Sequence, residues 1–267
     1  MKPIKFLGQN FLKSKKIVNE IIKAADLKPD DVILEVGPGK GILTEALLEK
    51  VPQGKVIAVE KDKRLVELLA QKFRHSKNLF LVYQDILKID ICKLIENCKL
   101  KIENYKVVAN IPYYITSRFL RIFLQSNFQP TKMVLMIQKE VAERIMAKNK
   151  KESILSISVK AYGQPKIIKK VPARYFSPQP KVDSAILLID NISKDFFRDI
   201  DEQKFFEIVK KGFSQKRKLL KNNLKMLDIG GLTRCGVGEK VRAEDLSLEN
   251  WKCLAGLFTP LEVDYRR

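Results

Sequence analysis

Asn110-Ile-Pro-Tyr113 is the stretch of this sequence whose residue types best suit chemistry. It follows Tyr105–Ala109, a short apolar run that reads as a buried strand. The side-chain oxygen of Asn110 and the backbone carbonyl of Ile111 can both accept hydrogen bonds from one NH2 group, while Tyr113 can stack on a flat ring. An aromatic amine is a poor nucleophile because its lone pair is delocalised into the ring. Two acceptors draw its nitrogen toward tetrahedral geometry and localise that pair for in-line attack on a methyl carried by a sulfonium. Positioning and electrostatics then supply the rate without a histidine base. A second aromatic, Phe176, lies in Tyr175-Phe-Ser-Pro-Gln-Pro180, where prolines stiffen the chain and can hold the ring over an unstacked base.

A cofactor site is written upstream. Gly37, Gly39 and Gly41 fall where the apolar run 31–36 turns into a helical pattern. Free N–H groups at such a helix start, with glycines that let the backbone approach, form a ligand cradle. Glu60 ends the next apolar run, Asp85 follows the third and Asn110 the fourth. Each step is about one strand–helix unit, which places all of them at the carboxyl edge of adjacent parallel strands. A carboxylate at Glu60 can accept both ribose hydroxyls, and one at Asp85 can accept an exocyclic amine. A nucleoside without pyrophosphate fits, and the cationic S-adenosylmethionine suits an acidic pocket. Ile42 stands where a dinucleotide fingerprint needs its last glycine, which disfavours a nicotinamide-dependent oxidoreductase.

The elements that must position these residues are legible from periodicity. Helical stripes at 16–25, 42–47, 62–73 and 117–123 alternate with strand-like runs at 31–36, 55–59, 79–83, 105–109 and 132–137. That alternation predicts an α/β, Rossmann-like sheet with helices on both faces. Runs at 166–171 and 182–189 are expected to complete it, with an antiparallel edge. From Phe205 onward the pattern is helical only, broken by Gly230-Gly231 and Gly236. The predicted organisation is a cofactor-binding domain over 1–191 and a small all-helical RNA-binding domain over 192–267.

Composition bounds the partners. The chain of 267 residues carries 51 Lys+Arg against 31 Asp+Glu, a net charge of +20. A field of that sign attracts polyanions, and nucleic acid is the natural one. Arg217, Lys218, Lys221 and Lys225, at helical spacing, are expected to form a basic face on one helix. The one histidine, His75, lies between Arg74 and Ser76 in a polar stretch, which makes His-based relays and His-rich metal sites hard to build, and no metal is expected. The four cysteines form no C-x-x-C pair and read as free thiols in a reducing compartment. No apolar run approaches a membrane span, so a cytoplasmic protein, monomeric and not membrane-bound, is expected.

These residues resemble the rRNA adenine N6,N6-dimethyltransferases, most closely the bacterial small-subunit branch. The matching stretches begin with Gly8-Gln-Asn-Phe-Leu12, Glu35-Val-Gly-Pro-Gly-Lys-Gly41, Val59-Glu60, Tyr83-Gln-Asp85 and Asn110-Ile-Pro-Tyr113. They continue with Gln138–Arg144, Phe176–Ala185, Gln215-Lys-Arg-Lys218 and Arg242-Ala-Glu-Asp-Leu-Ser247. The resemblance implies S-adenosylmethionine bound through Asn10, Leu12, Gly37, Glu60, Asp85 and Asn110, with Gly39 in the same turn. It implies Asn110 and Tyr113 at the target amine and Phe176 on the opposite side of the base. The implied reaction dimethylates two adjacent adenines near the 3′ end of 16S rRNA in a small-subunit precursor. The alternatives are a 23S rRNA adenine methylase and an RNA-binding assembly factor with a vestigial site. Two positions depart from the pattern: Glu152-Ser153 replaces a tyrosine–glycine pair, and Arg118 replaces a proline.

Overall fold

The computed structural model describes residues 3–4, 8–91, 93–94, 104–224 and 229–257. The chain forms two compact units, one of residues 1–142 and 163–192, the other of residues 143–162 and 193–267. The second unit thus takes in 143–162 as well as the helical C-terminal region, because the apolar side of that segment packs with later residues of the same unit.

The first unit opens with β1 (Phe11–Leu12) and α1 (Lys15–Ala25). Ser14 caps α1, its Oγ accepting from the N–H of Ile17 at 3.4 Å. Ile17, Val18, Ile21, Ile22 and Ala25 form the buried stripe of α1, the larger ones contributing roughly 1.5–3 kcal/mol each. Then come β2 (Val32–Val36), α2 (Ile42–Lys50), β3 (Lys55–Glu60), α3 (Lys63–Lys72), β4 (Leu79–Tyr83), β5 (Lys106–Asn110), α4 (Thr116–Gln125) and β6 (Lys132–Gln138). The carboxylate of Asp62 caps α3, accepting from the N–H of Arg64 at 3.1 Å. After α5 (Lys139–Ile145) and α6 (Ile154–Lys160), the chain returns as β7 (Gln164–Val171), β8 (Phe176–Ser177) and β9 (Ser184–Asp190).

Seven strands make one sheet in the order β4-β3-β2-β5-β6-β9-β7. β2 to β6 pair in parallel, and β9 runs antiparallel to both β6 and β7. The antiparallel strand therefore sits inside the sheet rather than at its edge. Ile33, Val56, Val108, Val134, Met136 and Ile186 share one core cluster with α1 and α2. The alternate positions Leu34, Ile57, Val107, Leu135 and Leu187 are also buried and face the opposite layer. Burial on both faces is what a parallel sheet between helices requires. β1 and β8 form a separate antiparallel pair that sets Leu12 against Phe176.

In the second unit, Ser153 caps α6 in a reciprocal box with Ser156, and Glu152 pairs with Lys160. The Glu152-Ser153 departure thus supplies a helix start. Arg118 is an exposed residue in the first turn of α4. α7 (Glu202–Gly212), α8 (Leu220–Asn223), α9 (Ile229–Arg234) and α10 (Leu248–Gly256) complete the second unit. Trp251 is fully buried and stacks on Phe213 at 5.6 Å. Gly230 and Gly231 lie within α9 rather than breaking it, with Leu232 of the same helix buried. The free-thiol expectation is corrected for two cysteines. Cys235, just after α9, and Cys253, on α10, are brought side by side and joined as a disulfide with Cα atoms 5.5 Å apart. Cys92 and Cys98 lie outside the described residues. No described helix is long and apolar enough to cross a membrane.

Candidate active site

A cleft open to solvent lies at the carboxyl ends of β2, β3, β4 and β5 in the first unit. Asn10, Leu12, Gly37, Gly39, Glu60, Asp85, Asn110 and Tyr113 all line it. Parallel pairing makes this so: each strand ends at the same sheet edge, so residues about one strand–helix unit apart in sequence become neighbours.

The floor is the turn between β2 and α2. Gly39 has a φ of 59°, and a Cβ there would come within 3.0 Å of the Phe11 ring. Gly41, at φ 77°, is the N-cap of α2, where a Cβ would meet Leu69 and Phe73 at 2.7 Å. The backbone at both positions therefore requires glycine. Glu60 grips the turn from the end of β3. Its Oε2 accepts from the N–H of Gly39 at 3.3 Å, and its Oε1 from the N–H groups of Lys61 and Asp62 at 2.8 and 2.9 Å. Burial raises the Glu60 carboxyl above its ordinary range, against the lowering effect of those three donors.

Asp85 holds its own turn, with Oδ1 accepting from the N–H of Leu87 at 3.1 Å. Its Oδ2 accepts from the ammonium of Lys61 at 2.8 Å. Burial works against its charge, but the Lys61 and Leu87 hydrogen bonds, with the charges of Lys61 and Lys88, outweigh it and hold the carboxyl below its ordinary range. Asp62 sits behind this edge, lowered to about 2 chiefly by its hydrogen bond with Arg64, with Gln9 donating to it at 2.8 Å.

Asn110 ends β5. Its Nδ2 donates to the backbone carbonyl of Asn10 at 3.2 Å, which assigns its amide nitrogen to the protein and leaves Oδ1 as the acceptor available to a ligand. A 3-10 turn over Tyr113–Ile115 follows. The hydroxyl of Tyr113 and Oγ of Ser184, the first residue of β9, lie 2.7 Å apart, which fixes the ring at the cleft wall. Burial raises the Tyr113 phenol, so it stays neutral.

Two expectations need correction. Phe176 is 1% exposed, belongs to the core cluster with Leu12 and Val18, and is not among the residues lining the cleft. Pairing of β8 with β1 turns its ring inward and leaves Ser177 outward. The basic residues do not share one helix either. Arg217 and Lys218 are exposed in the turn after α7, Lys221 lies on the short α8, and Lys225 is outside the described residues. The side chain of Asn223 donates to the carbonyls of Gly212 and Gln215, the latter at 3.2 Å, and so satisfies the turn between α7 and α8. Lys221 is paired with Glu239 at 3.3 Å.

Three cleft residues carry weight that spacing did not single out. Lys61 occupies Asp85, Tyr114 exposes 60% of its surface at the cleft, and Glu35 is 1% exposed beside Thr44. An acid inside the apolar run Val32–Val36 was the available signal for Glu35.

A family model described as ribosomal RNA adenine dimethylase matches residues 2–259. The chain is 42% identical over 262 residues to the ribosomal RNA small subunit methyltransferase A of Dehalococcoides mccartyi (strain BAV1), covering 95% of this chain and 88% of that one. Among solved structures it resembles a dimethyladenosine transferase from Plasmodium falciparum, with a TM-score of 0.75 and 26% identity over 91% of this chain and 95% of that one. It also resembles the 23S rRNA methyltransferase ErmE, with a TM-score of 0.74 and 26% identity over 92% of this chain and 98% of that one.

Proposed function

The chain belongs to the ribosomal RNA adenine dimethylase family, and from that premise we propose that it uses S-adenosylmethionine to dimethylate the N6 amines of two adjacent adenines near the 3′ end of 16S rRNA. The reading places it in the cytoplasm as a monomer, acting on a small-subunit precursor. The observation that carries it is the fixed amide of Asn110, whose Oδ1 is left as a hydrogen-bond acceptor at the cleft.

The residues present fit the cofactor. Three carboxyl groups, Glu35, Glu60 and Asp85, line the cleft and suit a cation. Glu60 would hold the ribose hydroxyls, Asp85 the adenine amine, and Asn10, Leu12, Gly37 and Gly39 the remainder. S-adenosylmethionine supplies an electrophilic methyl group on a sulfonium when bound. The chain's own contribution is to the target amine. Asn110 Oδ1 and the Ile111 carbonyl accept its two N–H bonds and localise the nitrogen lone pair. The ring of Tyr113, anchored at Ser184, stacks against the base. The proton leaves to water after transfer. Phe176 instead holds β8 against β1. The exposed Arg217 and Lys218 of the second unit would meet RNA phosphates.

Identity of 42% to a small-subunit enzyme against 26% to a 23S enzyme favours the small-subunit substrate. The test is labelled methyl transfer to unmethylated small-subunit particles and to 23S rRNA, with mass mapping of the product. Dimethyladenosine at two adjacent small-subunit positions is expected. Label confined to 23S rRNA, or none in wild type, would overturn the reading. Asn110→Ala should abolish transfer while leaving RNA affinity within about twofold, and normal transfer by that variant would remove Asn110 from its role.

A further inference from the structure

Cys235 and Cys253 have no task in the proposed chemistry. Their sulfurs are joined across 18 residues of sequence, yet their surroundings differ. Cys235, just after α9, is 6% exposed, whereas Cys253, on α10, is exposed. One sulfur of the bond is therefore open to a small molecule and the other is shielded. Noncovalent contacts hold the pair together independently of the bond. Nδ2 of Asn250 donates to the carbonyl of Cys235 at 2.8 Å, and the N–H of Asn250 donates to Oγ of Ser247 at 3.1 Å, which caps α10. The N–H of Val237 donates to the carbonyl of Leu232 at 3.0 Å and fixes the exit from α9. With the S–S bond broken, these contacts keep the two thiols facing each other. The exposed Arg234 precedes Cys235, and Lys252 precedes Cys253. Positive charge there favours the reactive thiolate and an anionic reaction partner.

We propose that Cys253 and Cys235 form a reversible thiol–disulfide exchange site for small anionic disulfides of the glutathione type, with Cys253 as the entry sulfur and Cys235 as the resolving one. In a reducing compartment a protein disulfide is commonly transient and redox-responsive. On oxidation the Cys253 thiol gives its proton to buffer and its thiolate attacks one sulfur of the small disulfide. That S–S bond breaks, one small thiol leaves, and a mixed disulfide remains on Cys253. Cys235 then loses its proton and attacks Sγ of Cys253, and the second small thiol leaves. Two protein thiols are oxidised and one small disulfide is reduced to two thiols. Reduction runs backward, an external thiolate attacking the exposed Cys253 with Cys235 as the leaving sulfur. The bond closes the segment 236–252, which braces the second unit. The Val241 carbonyl accepts from the N–H of Leu220 at the start of α8 at 2.9 Å, and the Glu244 carbonyl from the N–H of Glu152 before α6 at 2.8 Å. Closing that loop restricts the unfolded chain, so the oxidised form is the more stable. The inference does not depend on the nucleoside site.

The experiment treats the native full chain with excess dithiothreitol and then with glutathione disulfide. Free thiols are blocked with iodoacetamide after each step and located by peptide mass, which scores Cys92 and Cys98 separately. Cys235 and Cys253 should both be blocked after dithiothreitol and be linked to each other after glutathione disulfide. Cys235→Ser should retain glutathione on Cys253, whereas Cys253→Ser should take up glutathione on Cys235 at least about tenfold more slowly, because that sulfur is shielded. Melting of the second unit, followed by Trp251 fluorescence, should come about 10 °C higher for the oxidised than for the reduced wild type, with no such difference in either serine variant. A wild-type pair that stays linked in dithiothreitol, or stays as two thiols in glutathione disulfide, would overturn the proposal. So would equal glutathione uptake by the two serine variants, or equal melting of the two wild-type forms.

Discussion

Replacing Glu35 by glutamine should stabilise the cofactor-free protein, and by far more at neutral pH than in acid. The folded chain holds this carboxyl at about 8, against an ordinary value of 4.5 in the unfolded chain, because burial penalises its charge. The folded state therefore binds the proton more tightly than the unfolded state. Its contribution to stability is complete below pH 4.5 and is lost progressively as pH rises toward 8. Each pH unit in that window costs about 1.4 kcal/mol. At pH 7.5 the wild type has given up about 4 kcal/mol, and at pH 5 less than about 1 kcal/mol. Glutamine has the same shape and no proton, so it avoids the loss. For a unit of about 170 residues with an unfolding entropy near 2 cal/mol/K per residue, 4 kcal/mol corresponds to a Tm gain of about 10 °C. Melting followed by far-ultraviolet circular dichroism, without nucleoside, at pH 5 and pH 7.5 measures both ends. A variant whose Tm gain is the same at the two pH values, or which melts below wild type at pH 7.5, would refute the assignment of a neutral Glu35.

Lys61→Met should tighten binding of adenosine-containing ligands by about two- to fivefold, because the ammonium that now occupies Asp85 Oδ2 is an exposed partner of modest strength; weaker binding by calorimetry would show that Lys61 helps rather than competes. Neutralising Arg217 and Lys218 together should reduce the log–log salt slope of RNA binding by about 1.4–1.8, at about 0.7–0.9 per phosphate contact. An unchanged slope would take this turn out of the RNA surface. Gly212→Ala should destabilise the second unit by about 1–3 kcal/mol, since a Cβ would come within 2.3 Å of the Trp251 ring. The single tryptophan makes its fluorescence a direct report of that transition, and an unshifted midpoint would mean the contact relaxes at no cost.

The alternation of strands and helices in the first unit was legible because hydrophobic period follows directly from local geometry. Ile17, Val18, Ile21 and Ile22 mark one helix face, and the short, β-branched run Val32–Val36, ended by a glycine turn, marks a buried strand. The cleft residues were legible for a related reason. In a parallel sheet every strand ends at the same edge, so Gly37, Glu60, Asp85 and Asn110 had to converge once the strand ends were identified. Charge and composition likewise require no coordinates.

Tertiary packing decided the rest. Phe176 sits in an ordinary proline-rich stretch, and only the pairing of β8 with β1 turns it into the core. Gly230 and Gly231 have poor helix propensity, yet they lie in a helix whose Leu232 is buried. Cys235 and Cys253 are 18 residues apart, and their pairing depends on how the segment after α9 meets α10. The Lys61–Asp85 pair and the buried Glu35 are likewise products of assembly. Local sequence governs which segments form and which edge they share; the direction of a side chain, and whether a charge finds a partner, depend on contacts between residues far apart along the chain.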